Sequence, residues 1–236
     1  ASRFDQLDDM DWAFGSMGMQ DKAKHIATLY LEDLSDFIIE CIDDNFGFSR
    51  YAERLGRSAN SFDEIYAQLQ KPTTFIDDIT LKILDDRLKL EQPKLVCVSV
   101  PFPGNLYSAF RCAQYIKTNY PKIQIAMGGG FPNTELRSVS DIRVFEFFDF
   151  ITLDDGELPV ELVLSNVLDP TSENPDHRLF KRTFLMENRE VTYNNTSEKA
   201  DYKQAAVGTP DYSDLFLNKY ISVIEIANPM HSLWSD

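Results

Sequence analysis

The 236-residue sequence is poor in positive charge: 23 Lys and Arg stand against 38 Asp and Glu, a formal net charge of -15. A field of that sign repels phosphate backbones and anionic bilayer surfaces, so neither nucleic acid nor a membrane is expected as a partner. No apolar run approaches the roughly 20 residues that a membrane span needs, and the opening ASRFDQLDDMDW is acidic where a signal peptide is basic. The expected location is cytoplasmic. Cysteine is scarce: Cys41, Cys97 and Cys112 show no C-x-x-C spacing, and an odd number suits a reducing compartment, so they are expected to be reduced, buried thiols. Three histidines, His25, His177 and His231, are scattered in unlike contexts and form no ligand or catalytic set. No GxGxxG, no phosphate-binding GxxxxGK and no G-x-S-x-G occurs, which removes the usual dinucleotide, nucleoside triphosphate and serine hydrolase readings.

What is present is enough apolar matter, 43% of residues, to build a sizeable core. The first third reads as mostly helical. Residues 21–44 place Ile26, Leu29, Tyr30, Leu34, Phe37, Ile38 and Cys41 at three- and four-residue steps, and Asn45 and Gly47 end that pattern. Shorter helical patterns follow at SRYAERL, at SFDEIYAQL with Ser61 as N-cap and Glu64 completing a capping box, and at TTFIDDITLKILDDRLKL.

Pro93 closes this run, and the pattern then alternates. Leu95–Val100 (LVCVSV) reads as a strand covered on both faces, followed by a helix from about Leu106 to Thr118, a strand over 123–127, a short helical or irregular piece through Phe148, a strand over 149–153 and a helix over 157–168. Strands alternating with helices predict an α/β fold with a parallel sheet and helices on both faces. Beyond Pro170 a polar linker leads into FKRTFLMENREVTYN, a predicted β-hairpin turning at Glu187–Arg189, and then a Tyr- and Pro-punctuated connector. Three domains are expected: a helical segment 1–92, an α/β domain 93–169, and a hairpin and linker 170–236. The chain begins at Ala1 without methionine and stops at HSLWSD, from which we expect a piece of a longer protein.

In an open parallel sheet ligands lie outside the carboxyl ends of the strands, so three loops matter: VPFPGN, GGGFPN and DDGE. In the first, Ser99 offers a hydroxyl and Gly104 and Asn105 fit a turn, with Asn105 as N-cap of the next helix; turn chemistry alone explains that loop equally well. In the second, Gly128, Gly129 and Gly130 either let a ligand lie against bare backbone or permit a tight crossing from strand to helix. Three glycines exceed what one turn requires, which favours the ligand. In the third, Asp154, Asp155, Gly156 and Glu157 read as helix-capping acids stabilised by the helix dipole in preference to a metal or acid/base cluster. No catalytic residue and no metal ligand is assigned.

Four landmarks in order carry a family likeness: Val98-Ser99-Val100, Lys117 to Pro121, Gly128-Gly129, and Asp154-Asp155-Gly156-Glu157. Across residues 94–168 they resemble the second half of the cobalamin-binding-type domain, Rossmann-like and flavodoxin-like in fold, that precedes the catalytic barrel in radical S-adenosylmethionine enzymes. The tail, PDYSDLFLNKYISV and then NPMHSLW, resembles the linker that runs up to the cluster-binding CxxxCxxC of the barrel, which this sequence does not contain. The resemblance implies cobalamin as the cofactor, with Ser99, Gly104, Asn105, Gly128, Gly129, Gly130, Gly156 and Glu157 as the binding residues; S-adenosylmethionine and a 4Fe-4S cluster are implied only for the downstream barrel, the expected partner, acting on a substrate that the sequence does not identify. The lower-ligand motif D-x-H-x-x-G has no counterpart, since His25 is followed by IATLY. The module is therefore expected either to hold cobalamin without a histidine or to have lost it and to contact substrate or partner. A structural domain with an empty crevice, docking the barrel, is the alternative. A free-standing doubly wound domain for a nucleotide or flavin is a third reading.

Overall fold

The computed structural model describes residues 19–48, 51–57, 61–169, 179–213 and 215. The first helix, α1 (Met19–Cys41), belongs to one compact unit and Asn45–Gly208 form another. Helix α1 matches the three- and four-residue spacing of its sequence, and Leu29 is buried in it.

The larger unit begins with three helices, α2 (Glu53–Arg57), α3 (Asp63–Leu69) and α4 (Phe75–Glu91). The expected capping box at Ser61 and Glu64 is not formed. The N-cap of α3 is Phe62, and the Ser61 hydroxyl is used one residue early, accepting from the Asp63 N–H at 3.1 Å and donating to its carboxylate at 2.6 Å. The true capping box opens α4, where Thr74 Oγ1 accepts from the Asp77 N–H at 3.1 Å and the Asp77 carboxylate accepts from the Thr74 N–H at 3.2 Å. Aspartate closes this box as well as glutamate does, because its reach back to the N-cap N–H is what matters.

Five strands then build one mixed sheet in the order β1 (Leu95–Ser99), β2 (Gln124–Gly128), β3 (Phe150–Thr152), β4 (Thr183–Glu187), β5 (Glu190–Asn194). The first three are parallel neighbours, as their alternation with helices α5 (Leu106–Asn119) and α6 (Gly130–Glu135) predicts. The predicted hairpin forms, turning through Asn188 and Arg189 in left-handed backbone, and β4 pairs antiparallel with β3. The hairpin therefore extends the sheet and shares one unit with it and with α2, α3 and α4.

One face of the sheet carries Ile125, Met127 and Ile151, none with any measurable exposure, under Phe110, Ala113 and Ile116 of α5. Each such side chain removed from water contributes about 1.5–3 kcal/mol. The opposite face carries Ala126 and Phe150 under Val163 of α7 (Glu157–Leu168) and Phe180. Helix α7 packs on β3. Strand β1 is not buried on both faces: Cys97 and Ser99 are exposed while Val96 and Val98 pack inward. The thiols are free but not buried as expected, since Cys41 and Cys97 are exposed and Cys112 is half-buried, its thiol pushed up to about 11 chiefly by desolvation.

A polar node ties the helices to this sheet. The Arg111 guanidinium on α5, 4% exposed, lies 3.1 Å from the Asp77 carboxylate of α4 and donates to the carbonyls of Gln68 and Leu69 at 3.2 and 3.1 Å, where α3 ends. The Tyr107 hydroxyl donates to Asp77 at 2.9 Å and accepts from Arg111 at 2.8 Å. Burial pushes that hydroxyl up to about 12, so it remains a donor at any ordinary pH. Removing one charge leaves the other buried without compensation, which costs about 3–5 kcal/mol. Asp77→Ala is thus expected to lower the unfolding free energy in urea by that amount, and the double variant Asp77→Ala, Arg111→Met to recover much of it; a loss under about 1 kcal/mol, the worth of an exposed pair, would show that the node is not holding the helices.

Candidate functional site

The three parallel strands end on one edge, where the loops singled out in the sequence begin. Ser99 is the last residue of β1, exposed, and pairs in register with Gly128, the last residue of β2. A side chain at Gly128 would lie 3.0 Å from the Thr152 hydroxyl at the end of β3. Ser99, Gly128 and Thr152 are therefore lined up across the three strand ends.

The backbone that approaches the glycines is the chain's own. A β-carbon at Gly129 would fall 2.8 Å from both the nitrogen and the oxygen of Val100, and one at Gly130 would fall 2.8 Å from the Pro101 carbonyl oxygen. Two hydrogen bonds draw these segments together: Val100 N–H donates to the Gly128 carbonyl at 2.7 Å, and Phe131 N–H donates to the Val100 carbonyl at 2.9 Å. Gly129 joins them at φ +107°, a region L residues rarely adopt. The triple glycine is what lets β2 turn directly into α6 while β1 runs alongside.

Gly104 and Asn105 lie in a 3-10 turn, Pro103–Asn105, that packs on α2, where the Pro103 carbonyl presses on Gly56. Asn105 precedes α5, as expected of an N-cap, but its side chain makes no capping bond. Gly156 stands at the N-cap of α7 with open space where a side chain would be, and Glu157 occupies the first turn, where the helix dipole favours an acid. Gly156 makes no side-chain cap, and the neighbouring acid does not cap either. Asp154, at φ +60°, instead pairs with Arg137 and lies 3.7 Å from Arg182, while its N–H donates to the Asn133 side chain at 2.6 Å. Arg182 in turn grips the Leu153 and Asp155 carbonyls at 3.3 and 3.1 Å and the Asp201 carboxylate at 2.7 Å, and that hydrogen bond holds Asp201 below the usual carboxylate range. The second and third loops are thus stitched together by charge, whereas Gly104 and Asn105 are carried to α2.

Beside this edge lies a feature that no sequence pattern announced. A cavity of about 500 Å³ opens between α3, α5, α6 and the 3-10 turn Ile142–Glu146, floored by Phe62, Phe110 and Phe131 and rimmed by Glu135, Ser138 and Ser140. Its size falls in the range of small-molecule sites. The three phenylalanines stand 48 and 21 positions apart and share no period, so only the folded chain assembles them. Among the described residues no group of His, Cys, Asp or Glu side chains is arranged to hold a metal ion, and no helix is long and apolar enough to cross a membrane.

No family model, curated protein or solved structure matches this chain. The geometry yields a paired prediction. Gly129→Ala is expected to cost about 2 kcal/mol or more, combining left-handed strain of about 1–3 kcal/mol with the collision at Val100. Gly156→Ala, at φ -80° with nothing in reach, is expected to change stability by no more than about 1 kcal/mol and to favour the folded state. Denaturant unfolding of the two variants beside the parent protein measures both, and equal effects would refute the assignment.

Proposed function

We propose that this chain is the accessory module that precedes the barrel of a radical S-adenosylmethionine enzyme, keeping a Rossmann-like, cobalamin-binding-type fold whose carboxyl edge serves as a docking face. Support for the fold comes from the consecutive parallel strands β1, β2 and β3, with the glycine turn after β2 and the DDGE turn after β3 on one edge.

The observation that carries the docking role is the filling of the glycine cradle. A cobalamin tail laid on this edge needs the space above Gly129 and Gly130, and the Val100–Pro101 backbone occupies it at 2.8 Å. The described histidine nearest in kind to a lower ligand, His25, belongs to α1 in the other unit. The residues at this edge do not fit the cofactor, and no chemical step is derived through it. What the edge does offer is a rigid, charged surface: Arg137 and Asp154 are exposed, and their loops are bonded to one another through Asn133. A surface of this kind, preorganised at no cost in ordering, suits recognition of a second folded domain.

The test begins with the reading frame beyond Asp236. A CxxxCxxC is expected within a few tens of residues, and the longer protein, reconstituted with iron and sulfide, is expected to cleave S-adenosylmethionine while residues 1–236 do not. Hydroxocobalamin titrated against either protein is expected to keep its free absorbance spectrum. A reading frame without the cysteine motif, or turnover by residues 1–236, would overturn the assignment to this enzyme class; a saturable change in the cobalamin spectrum would overturn the cofactor-free docking role.

A further inference from the structure

The cavity beside the strand edge has chemistry of its own, independent of whether a catalytic barrel follows. Its floor is aromatic: Phe62 lines it together with the nearly buried Phe110 and Phe131, and the Phe62 and Phe110 rings pack tilted at 44° with centroids 4.7 Å apart. Such a surface takes an apolar or aromatic body. Its rim is polar and open to water. Among the described residues the Glu135 carboxylate has no ion-pair partner, and the Ser138 and Ser140 hydroxyls have no side-chain hydrogen bond.

The charge around the opening is one-sided. Asp141, the other acid of the lining, is already neutralised by Arg143 at 2.6 Å, and that hydrogen bond holds its carboxyl below the usual range. Arg143 is shared with Asp63 at 2.7 Å, which leaves Glu135 as the uncompensated charge. The same aromatic cluster already attracts a cation on its outer side, where the Arg143 guanidinium sits 5.1 Å from the Tyr66 ring centroid and 5.7 Å from that of Phe62. A carboxylate at the mouth, two free hydroxyls and an aromatic floor complement one chemical class.

We propose that this cavity binds a small organic cation, an amine carried on an aromatic or apolar body, with the ring on Phe62, Phe110 and Phe131 and the ammonium at Glu135, Ser138 and Ser140. The whole-chain charge of -15 raises the local concentration of such a ligand and disfavours an anion of the same shape.

Phenethylamine and 3-phenylpropionate share a ring and differ in the sign of the head group, so they are the probes. Titrated into the 236-residue protein and followed by backbone amide shifts, phenethylamine is expected to give saturable changes at Phe131, Leu136 and Val139, and to bind at least about threefold more tightly than the acid, as one exposed charge contact allows. Glu135→Gln, at an exposed position, is expected to keep the melting temperature and to remove that preference. Val139→Trp, which projects a large ring into the cavity, is expected to abolish binding of both probes. Equal affinities for the two probes, an unchanged preference in Glu135→Gln, or shifts confined to Gly128–Gly130 and Gly156 would overturn the proposal. Failure of the cysteine motif or of the docking role would leave these outcomes untouched.

Discussion

The buried contact between Asp77 and Arg111 is the constraint on which the rest of the larger unit depends. Neither charge reaches water, so each needs every one of its partners, and those partners come from four places: the Thr74 backbone, the Tyr107 hydroxyl, the Gln114 side chain and the carbonyls that close α3. An apolar core tolerates small rotations of a helix, whereas a guanidinium with fixed donor directions does not. The node therefore sets where α3 and α4 sit on α5, and α5 is the helix that seals one face of the sheet. Phe62 caps the start of α3 and Phe110 stands next to Arg111 in α5, so the ion-paired arginine that holds the last carbonyls of α3 also bears on the spacing of the cavity's aromatic floor.

Much of this architecture was legible in the sequence, and its failures have physical reasons. Strands and helices after Pro93 declare themselves because an apolar run such as IQIAM and an amphipathic run such as LYSAFRCAQYIK differ in period, and local period survives folding. The hairpin was legible too, since Asn188 and Arg189 between two alternating segments ask for a tight turn. Its attachment to β3 was not, because nothing local in FKRTFLME records which strand it will meet. In LVCVSV the valines at 96, 98 and 100 alternate with Cys97 and Ser99, and that alternation held the information that one face stays open; the high apolar content concealed it. The caps were misread at Ser61 and missed at Thr74 because both stretches offer a hydroxyl three residues before an acid, and tertiary packing chose between them.

The candidate site shows the same division. That three consecutive glycines serve a close approach was readable from the residues, since bare backbone has few other uses. What does the approaching was not, because Val100 is 29 residues from Gly129 in sequence and reaches it only through the sheet. Asp154 looked like a helix cap by its position, yet Arg137 and Arg182 outbid the helix dipole, a full charge at short range being stronger than the half charge of a helix end.

Val100 has one further property. Its N–H is held by Gly128 and its carbonyl by Phe131, so the tip of β1 is grasped from both sides by consecutive parts of a single turn. With Gly129 wedged against it, there is no slack in this joint. β1 has β2 as its hydrogen-bonded neighbour and an exposed face at Cys97 and Ser99, so it is the strand that an incoming segment could press or pull. The same hydrogen bond joins this strand end to Phe131, which lies on the floor of the cavity. The outer margin of the sheet and the floor of the pocket are thus one hydrogen bond apart.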